Sequence, residues 1–194
     1  MKKAFFLGLI TTLATSALAL AAPMNVLILD GQNNHDWKAT TPILKRILEQ
    51  GGLCKVDVAT APPKGQDMSP FNPNFSAYQV VVSNYNGEPW PRETQEAFVR
   101  YIKTGGGFVS VHAANNSFPE WREYNEMIGV GGWGGRNEKS GPYVRLREGK
   151  FVRDPSAGVG GSHGAQHAFL VEIRDAHHPI TAGLPATWMH AKDE

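Results

Sequence analysis

Four short runs of apolar, largely β-branched residues, at 24–30, 55–60, 78–83 and 108–111, punctuate the first half of the chain. The run at 24–30, which lacks polar alternation, reads as a strand buried on both faces, and the other three read as further strands. Two of the intervening segments carry a different period. In 41–50, Ile43, Leu44, Ile47 and Leu48 recur at helical spacing. Thr40 and Thr41 offer an N-cap there, Pro42 sits near a first turn, and Gly51-Gly52 closes the helix. In 91–103, Phe98, Val99 and Ile102 mark the inner side of a second helix, stopped by the glycines at 105–107. Buried strands alternating with amphipathic helices imply right-handed βαβ crossovers. The expectation is a doubly wound α/β sandwich with a mainly parallel sheet, its first four strands ordered second, first, third, fourth.

The rest of the chain is less regular. Residues 121–128 read as a short helix and 129–135 are glycine-rich. Segments 143–146 and 168–173 alternate like further strands, and 153–164 reads as a surface insertion. With no second boundary visible, 23–194 is expected to be one domain. Residues 1–22 begin Met-Lys-Lys, continue with an apolar run and end in Ala-x-Ala patterns, which is the composition of a secretory signal. The run is short for a membrane anchor and carries no charged flank after it. The expectation is therefore an exported protein, periplasmic or extracellular, with no membrane attachment after cleavage. At the other end the chain stops at Lys192-Asp193-Glu194, just after Trp188-Met189. That abrupt stop suggests a sheet completed by further strands. The formal net charge is +1 and no basic stripe occurs, so nucleic acid and anionic membranes are poor partners. A lone Cys54 cannot form an internal disulfide and reads as a small core residue.

In open α/β sheets, ligands bind beyond the carboxyl ends of the strands. Here those ends are unusually loaded. The first strand leads into Asn33, Asn34, His35, Asp36 and Trp37; the third into Asn84, Tyr85, Asn86, Glu88 and Trp90; the fourth into His112, Asn115 and Asn116. Asn, Asp and Gly also favour turns for purely local reasons, but three such loops at one edge point to a binding site. His112 is the sharpest signal, because it stands at a strand-to-loop transition where neutral imidazole can act as a general base or bind a metal.

The stretches GQNNHDW, GGGFVSVHAA, IGVGGWGGR and VEIRDAHHPITAGLP, with the terminal Lys192-Asp193-Glu194, resemble the ThuA-like (trehalose utilisation) family. The resemblance implies a flavodoxin-like fold similar to the class I glutamine amidotransferases. It also implies a role in sugar metabolism, around disaccharides or their keto derivatives. It carries His35, His112, His167, His178, Asp193 and Glu194 as candidate site residues. The family usually continues the final Asp-Glu with Leu-Tyr. It also usually joins the Gly-Gly-aromatic stretch closely to the His matched by His167, whereas here residues 137–162 intervene.

These readings define the expectations. Catalysis falls to His112 as base, with Asp193 or Glu194 as its acid/base partner. Sugar binding falls to His35, Trp37, Asn84, Tyr85, Trp90, Trp133 and His167, since indole faces and convergent amides suit polyols. No particular cofactor is indicated; a divalent metal, with His35, His112 and His167 as candidate ligands, is the alternative. The partner is a small sugar or glycoside, and hydrolysis and isomerisation of a keto-sugar fit equally. The rival class is a non-catalytic carbohydrate-binding or accessory domain, in which the tryptophans matter and His112 does not. Glutamine amidotransfer is excluded because His112, not Cys, occupies the elbow. Gly160-Gly161-Ser162-His163-Gly164 matches a nucleophile-elbow pattern only literally, lacking the strand before it and the helix after it.

Overall fold

The computed structural model describes residues 22–162 and 164–193. The stretch up to Ala21, where the secretory signal was expected, lies outside them. The chain divides into two compact units, one ending at Val130 and one beginning at Gly131.

In the first unit β1 (Met24–Asp30), β2 (Cys54–Thr60), β3 (Val80–Ser83) and β4 (Gly107–Ser110) form one parallel sheet in the order β2-β1-β3-β4. Val26 of β1 stands opposite Val56 of β2 and Val80 of β3, and Val80 opposite Gly107 of β4. This is the expected order, and it follows from burial. Alternate residues of β1 go to opposite faces: Val26 and Ile28 pack with Val56 and Val82, whereas Leu27 and Leu29 join an aromatic cluster. Helix α1 (Trp37–Glu49) supplies Leu44 and Leu48 to the first face. Helix α2 (Arg92–Lys103) supplies Phe98 and Tyr101 to the second, where Phe75, Trp90 and Trp121 surround them. Cys54 is free and packs, partly buried, at the edge of the aliphatic cluster. A third helix, α3 (Arg122–Ile128), buries Tyr124 and ends at Gly129, whose φ of 70° is the left-handed C-cap.

Helix α1 begins four residues before the position expected from Thr41. The Asp36 side chain accepts a hydrogen bond from the Ala39 amide at 3.1 Å and so caps the helix first. Pro42 consequently lies inside the helix rather than in its first turn. The threonines are left to do something else, as the site shows.

The second unit contains two antiparallel pairs. Strands β5 (Tyr143–Arg147) and β6 (Lys150–Asp154) form a hairpin, and β7 (His167–Glu172) pairs with β8 (Thr187–Asp193). The hairpin corrects the reading of 153–164 as insertion from its first residue, since β6 runs to Asp154. Its two-residue turn, Glu148-Gly149, has φ of 49° and 73°, the twist that matches flanking strands. Glycine is required elsewhere too: a Cβ on Gly131 would lie 1.6 Å from the Trp133 ring, which folds back onto it. Among the described residues no helix is long and apolar enough to cross a membrane.

Candidate functional site

The site grows from the ends of β1, β3 and β4. Beyond β1, the Asn33 side chain accepts from the His35 amide at 2.9 Å, a local turn that turns the chain sharply before α1. Its amide nitrogen donates to the Asn84 carbonyl at 3.0 Å, tying this turn to the end of β3. Beyond β4, Val111 leads into a single 3-10 turn, His112–Asn116. His112 itself adopts a φ of 44°, a left-handed conformation that costs a non-glycine residue about 1–2 kcal/mol. The surroundings hold it there. Ser117 donates its hydroxyl to the Tyr85 carbonyl and Tyr124 donates its phenol to the Ala114 carbonyl, both at 2.8 Å.

These two turns bring His35 and His112 together. Their Nε2 atoms are 3.1 Å apart and the rings meet edge to face at 62°. Both side chains are exposed. At this distance one imidazole donates and the other accepts, the direction being set by tautomer. With metal–nitrogen bonds of about 2.0–2.1 Å, two imidazoles bound to one cation would also sit at about this separation. Among the described residues, however, no group of three or more His, Cys, Asp or Glu is placed to hold a metal.

Beyond β1, β2 and β3 opens a cleft of about 780 Å³, whose lining includes neither His35 nor His112 but does include their neighbours Asn34 and Trp37. Trp37 lines it, together with Gln32, Asn33, Asn34, Asn86, Glu88 and two lysines, Lys38 and Lys64. Gln32 is its structural hub. Its Nε2 donates to the Pro62 carbonyl at 2.7 Å, its Oε1 accepts from the Glu88 amide at 2.9 Å, and its own carbonyl accepts from the Asn86 amide. Three loops are thereby fastened to one buried side chain. The packing leaves no slack: a Cβ on Gly87 would lie 2.4 Å from Gln32, and one on Gly31, at φ 115°, 2.3 Å from the Ala61 carbonyl.

Several expected binding residues are placed elsewhere. Asn84 is buried and does not line the cleft; its amide donates to the hydroxyls of Thr40 and Thr41 at 3.0 and 3.1 Å, so it joins β3 to α1. Tyr85 is fully buried and donates to the Glu88 carbonyl at 2.6 Å. Burial, and then the nearby Glu88 charge, push its phenol well above the ordinary tyrosine range. Trp90 is equally buried, at the centre of the aromatic cluster. Both aromatics are core residues because their loop turns inward beneath the cleft. Trp133 lies in the second unit, beside a cavity of about 510 Å³, with the Arg136 guanidinium 5.8 Å from its ring. His167, also in the second unit, is exposed on β7, opposite Asp193 in register, with its Nδ1 2.9 Å from the Ala168 carbonyl. His178 accepts from the Ile180 amide at 3.2 Å, a turn contact. The side chain of Asp193, and Glu194 as a whole, lie outside the described residues. Gln32, Lys38 and Lys64 were not legible as site residues; the one signal for Gln32 was its place directly after the close-packed Gly31.

A parallel sheet in this order, covered by helices and carrying its polar loops at the carboxyl edge, defines a flavodoxin-like α/β protein. The chain belongs to the ThuA family, described as trehalose utilisation, whose model matches residues 25–194. A putative ThuA-like protein from Parabacteroides merdae, solved as a crystal structure, is 51% identical, with a TM-score of 0.84, over 88% of this chain and 61% of that one. A second, from Bacteroides uniformis, is 21% identical with a TM-score of 0.56 over 92% and 63%, and shows the fold alone. The chain thus spans less than two thirds of the length of either. No curated protein matches it. Membership of this family supports a role related to sugar metabolism.

Proposed function

We propose that this chain is an exported enzyme acting on a disaccharide or keto-glycoside by proton transfer at His35 and His112. The observation that carries the reading is the 3.1 Å contact between two exposed imidazoles, one of them held in a strained left-handed conformation. Strain of this kind persists only where the surroundings over-determine it, and it collects at functional sites. In this reading substrate displaces the contact between the two Nε2 atoms, and the freed Nε2 of His112 accepts a proton from a sugar hydroxyl, from a carbon next to a carbonyl, or from water. His35 relays it. The family resemblance nominates Asp193 or Glu194 as the carboxyl acid. The adjoining cleft holds the remainder of the glycoside, with Trp37 on its wall.

The test is turnover of trehalose and of a keto-disaccharide by the full chain, with hydrolysis and isomerisation products separated by chromatography. His112→Ala is expected to lower the rate on the order of 10²–10⁴-fold, the range of a positioned acid or base. Asp193→Asn and Glu194→Gln in the same assay identify the acid. Normal turnover in His112→Ala would defeat the reading. Retained sugar binding without turnover in any form would instead favour a carbohydrate-binding module built around Trp37.

A further inference from the structure

The polar groups that line the cleft are mostly committed to one another, and subtracting those commitments leaves few that can serve a ligand. Asn33 is engaged at both ends, by the Asn84 carbonyl and the His35 amide. Asn86 donates to the Asn34 side-chain oxygen at 2.7 Å and accepts from Ser117. Gln32 is fully engaged by three loops. Glu88 differs. Its Oε2 accepts from the Gly65 amide at 2.9 Å and, more weakly, from Gln32 at 3.4 Å. Its Oε1 takes no hydrogen bond among the described residues, and Glu88 is the one acidic side chain lining the cleft. The same cleft is lined by Trp37, by Lys38, whose ammonium lies 5.6 Å from the Trp37 ring, and by Lys64; neither lysine forms an ion pair among the described residues. A carboxylate fixed through one oxygen, with donors and an indole about it, is an acceptor suited to hydroxyl pairs rather than to an apolar or anionic group. The room available, within the roughly 300–1,000 Å³ of ordinary ligand pockets, exceeds what one pyranose fills.

We propose that Glu88 is a specificity-determining residue, its carboxylate accepting hydrogen bonds from vicinal hydroxyls of the sugar unit that lies away from the His35–His112 pair. The ligand class is then a neutral glycoside of at least two units. The proposal rests on the sugar reading of the site but not on catalysis by the histidines. It is tested by calorimetric titration of the full chain with trehalose, cellobiose and methyl glucoside, together with 2-deoxy and 3-deoxy forms of whichever disaccharide binds. Glu88→Gln retains an oxygen for the Gly65 amide, so its thermal unfolding is expected to match the wild type. Its affinity for the disaccharide is expected to fall about ten- to a hundredfold, as for loss of a charge-assisted hydrogen bond. Removing a bridged hydroxyl should weaken the wild type by a similar factor and leave Glu88→Gln nearly unaffected. Equal affinity in wild type and Glu88→Gln, additive losses on deoxygenation, or no binding of any probe by the wild type would overturn the proposal. His112→Ala, titrated alongside, separates the two readings: unimpaired turnover in that variant with weakened binding in Glu88→Gln defeats the catalytic claim and leaves this one standing.

Discussion

The two units handle apolar side chains in opposite ways. Every fully buried residue among those described lies before Val130. Beyond it Phe151, Val159 and Ile180 are each 80% exposed. In the first unit the central strands β1 and β3 are sealed on both faces and so are apolar over their buried length, the outer strand β2 still exposes Lys55, Asp57 and Val58, and each helix is amphipathic. The second is built of two-stranded ribbons, whose order comes from turns and cross-strand bonds rather than from a core; such ribbons are marginal by themselves. Burial writes a pattern into a sequence, and turn geometry writes much less.

That contrast is sharpest in side-chain deletion. Trp90→Ala removes a ring that touches Phe71, Tyr85, Phe98, Phe118 and Trp121. It is expected to cost about 3–5 kcal/mol, the range for large aromatics in cores. Phe151→Ala should change stability by no more than about 0.5 kcal/mol, as at other exposed positions. Urea unfolding of both variants checks the pair, and equal losses would erase the distinction between the units. The Trp90 indole nitrogen is buried without a partner, so Trp90→Phe should lose less than its change in volume suggests.

The same logic explains what could be read in advance. The order β2-β1-β3-β4 was legible because 24–30 and 78–83 are apolar on both faces, and because helical spacing between the strands demands crossovers. The meeting of His35 and His112 was legible from topology, since carboxyl ends of neighbouring parallel strands open on one edge. Trp90 and Tyr85 misled because an aromatic in a polar loop reads as a sugar platform, while the inward path of that loop is set by Gly87 packing on Gln32. The hairpin at Lys150–Asp154 was missed because Glu-Gly is a weaker turn signal than Asn-Gly or Asp-Gly.

A second test probes the sealed core by pH. Burial pushes the Tyr124 phenol up to about 12, above its ordinary value of 10.0. The unfolded chain therefore loses this proton first. Stability from this group is fully present below pH 10 and is lost as pH rises through the folded value. The loss should be on the order of 2–3 kcal/mol at most. Thermal unfolding followed between pH 8 and 12 should show a decline that begins near pH 10 and is shallower in Tyr124→Phe. Tyr78, Tyr85 and Tyr101, whose phenols burial also raises, contribute to the part that remains. A decline unchanged by Tyr124→Phe would mean that the core does not seal this ring.

The smallest expected effect lies where core and site join. Asn84 donates to two hydroxyls on α1, and the two differ in setting: the bond to Thr41 is buried, the bond to Thr40 only partly so. Each Thr→Val change keeps shape and β-branching while removing the acceptor. Thr41→Val should cost about 0.5–1.5 kcal/mol, the usual net worth of one hydrogen bond, and Thr40→Val less, because water can replace what is lost. The two should not be additive, since Asn84 retains one acceptor in either single variant and none in the double. Asn84 also receives the Asn33 amide through its backbone carbonyl, and Asn33 holds the His35 turn. The double variant should therefore loosen His35 as well as α1, visible as a change in the His35 ring signals in NMR that neither single variant produces. Strict additivity, with His35 undisturbed, would show that the helix and the histidine turn are held independently, and that the sealed core ends at Asn84 rather than reaching into the site.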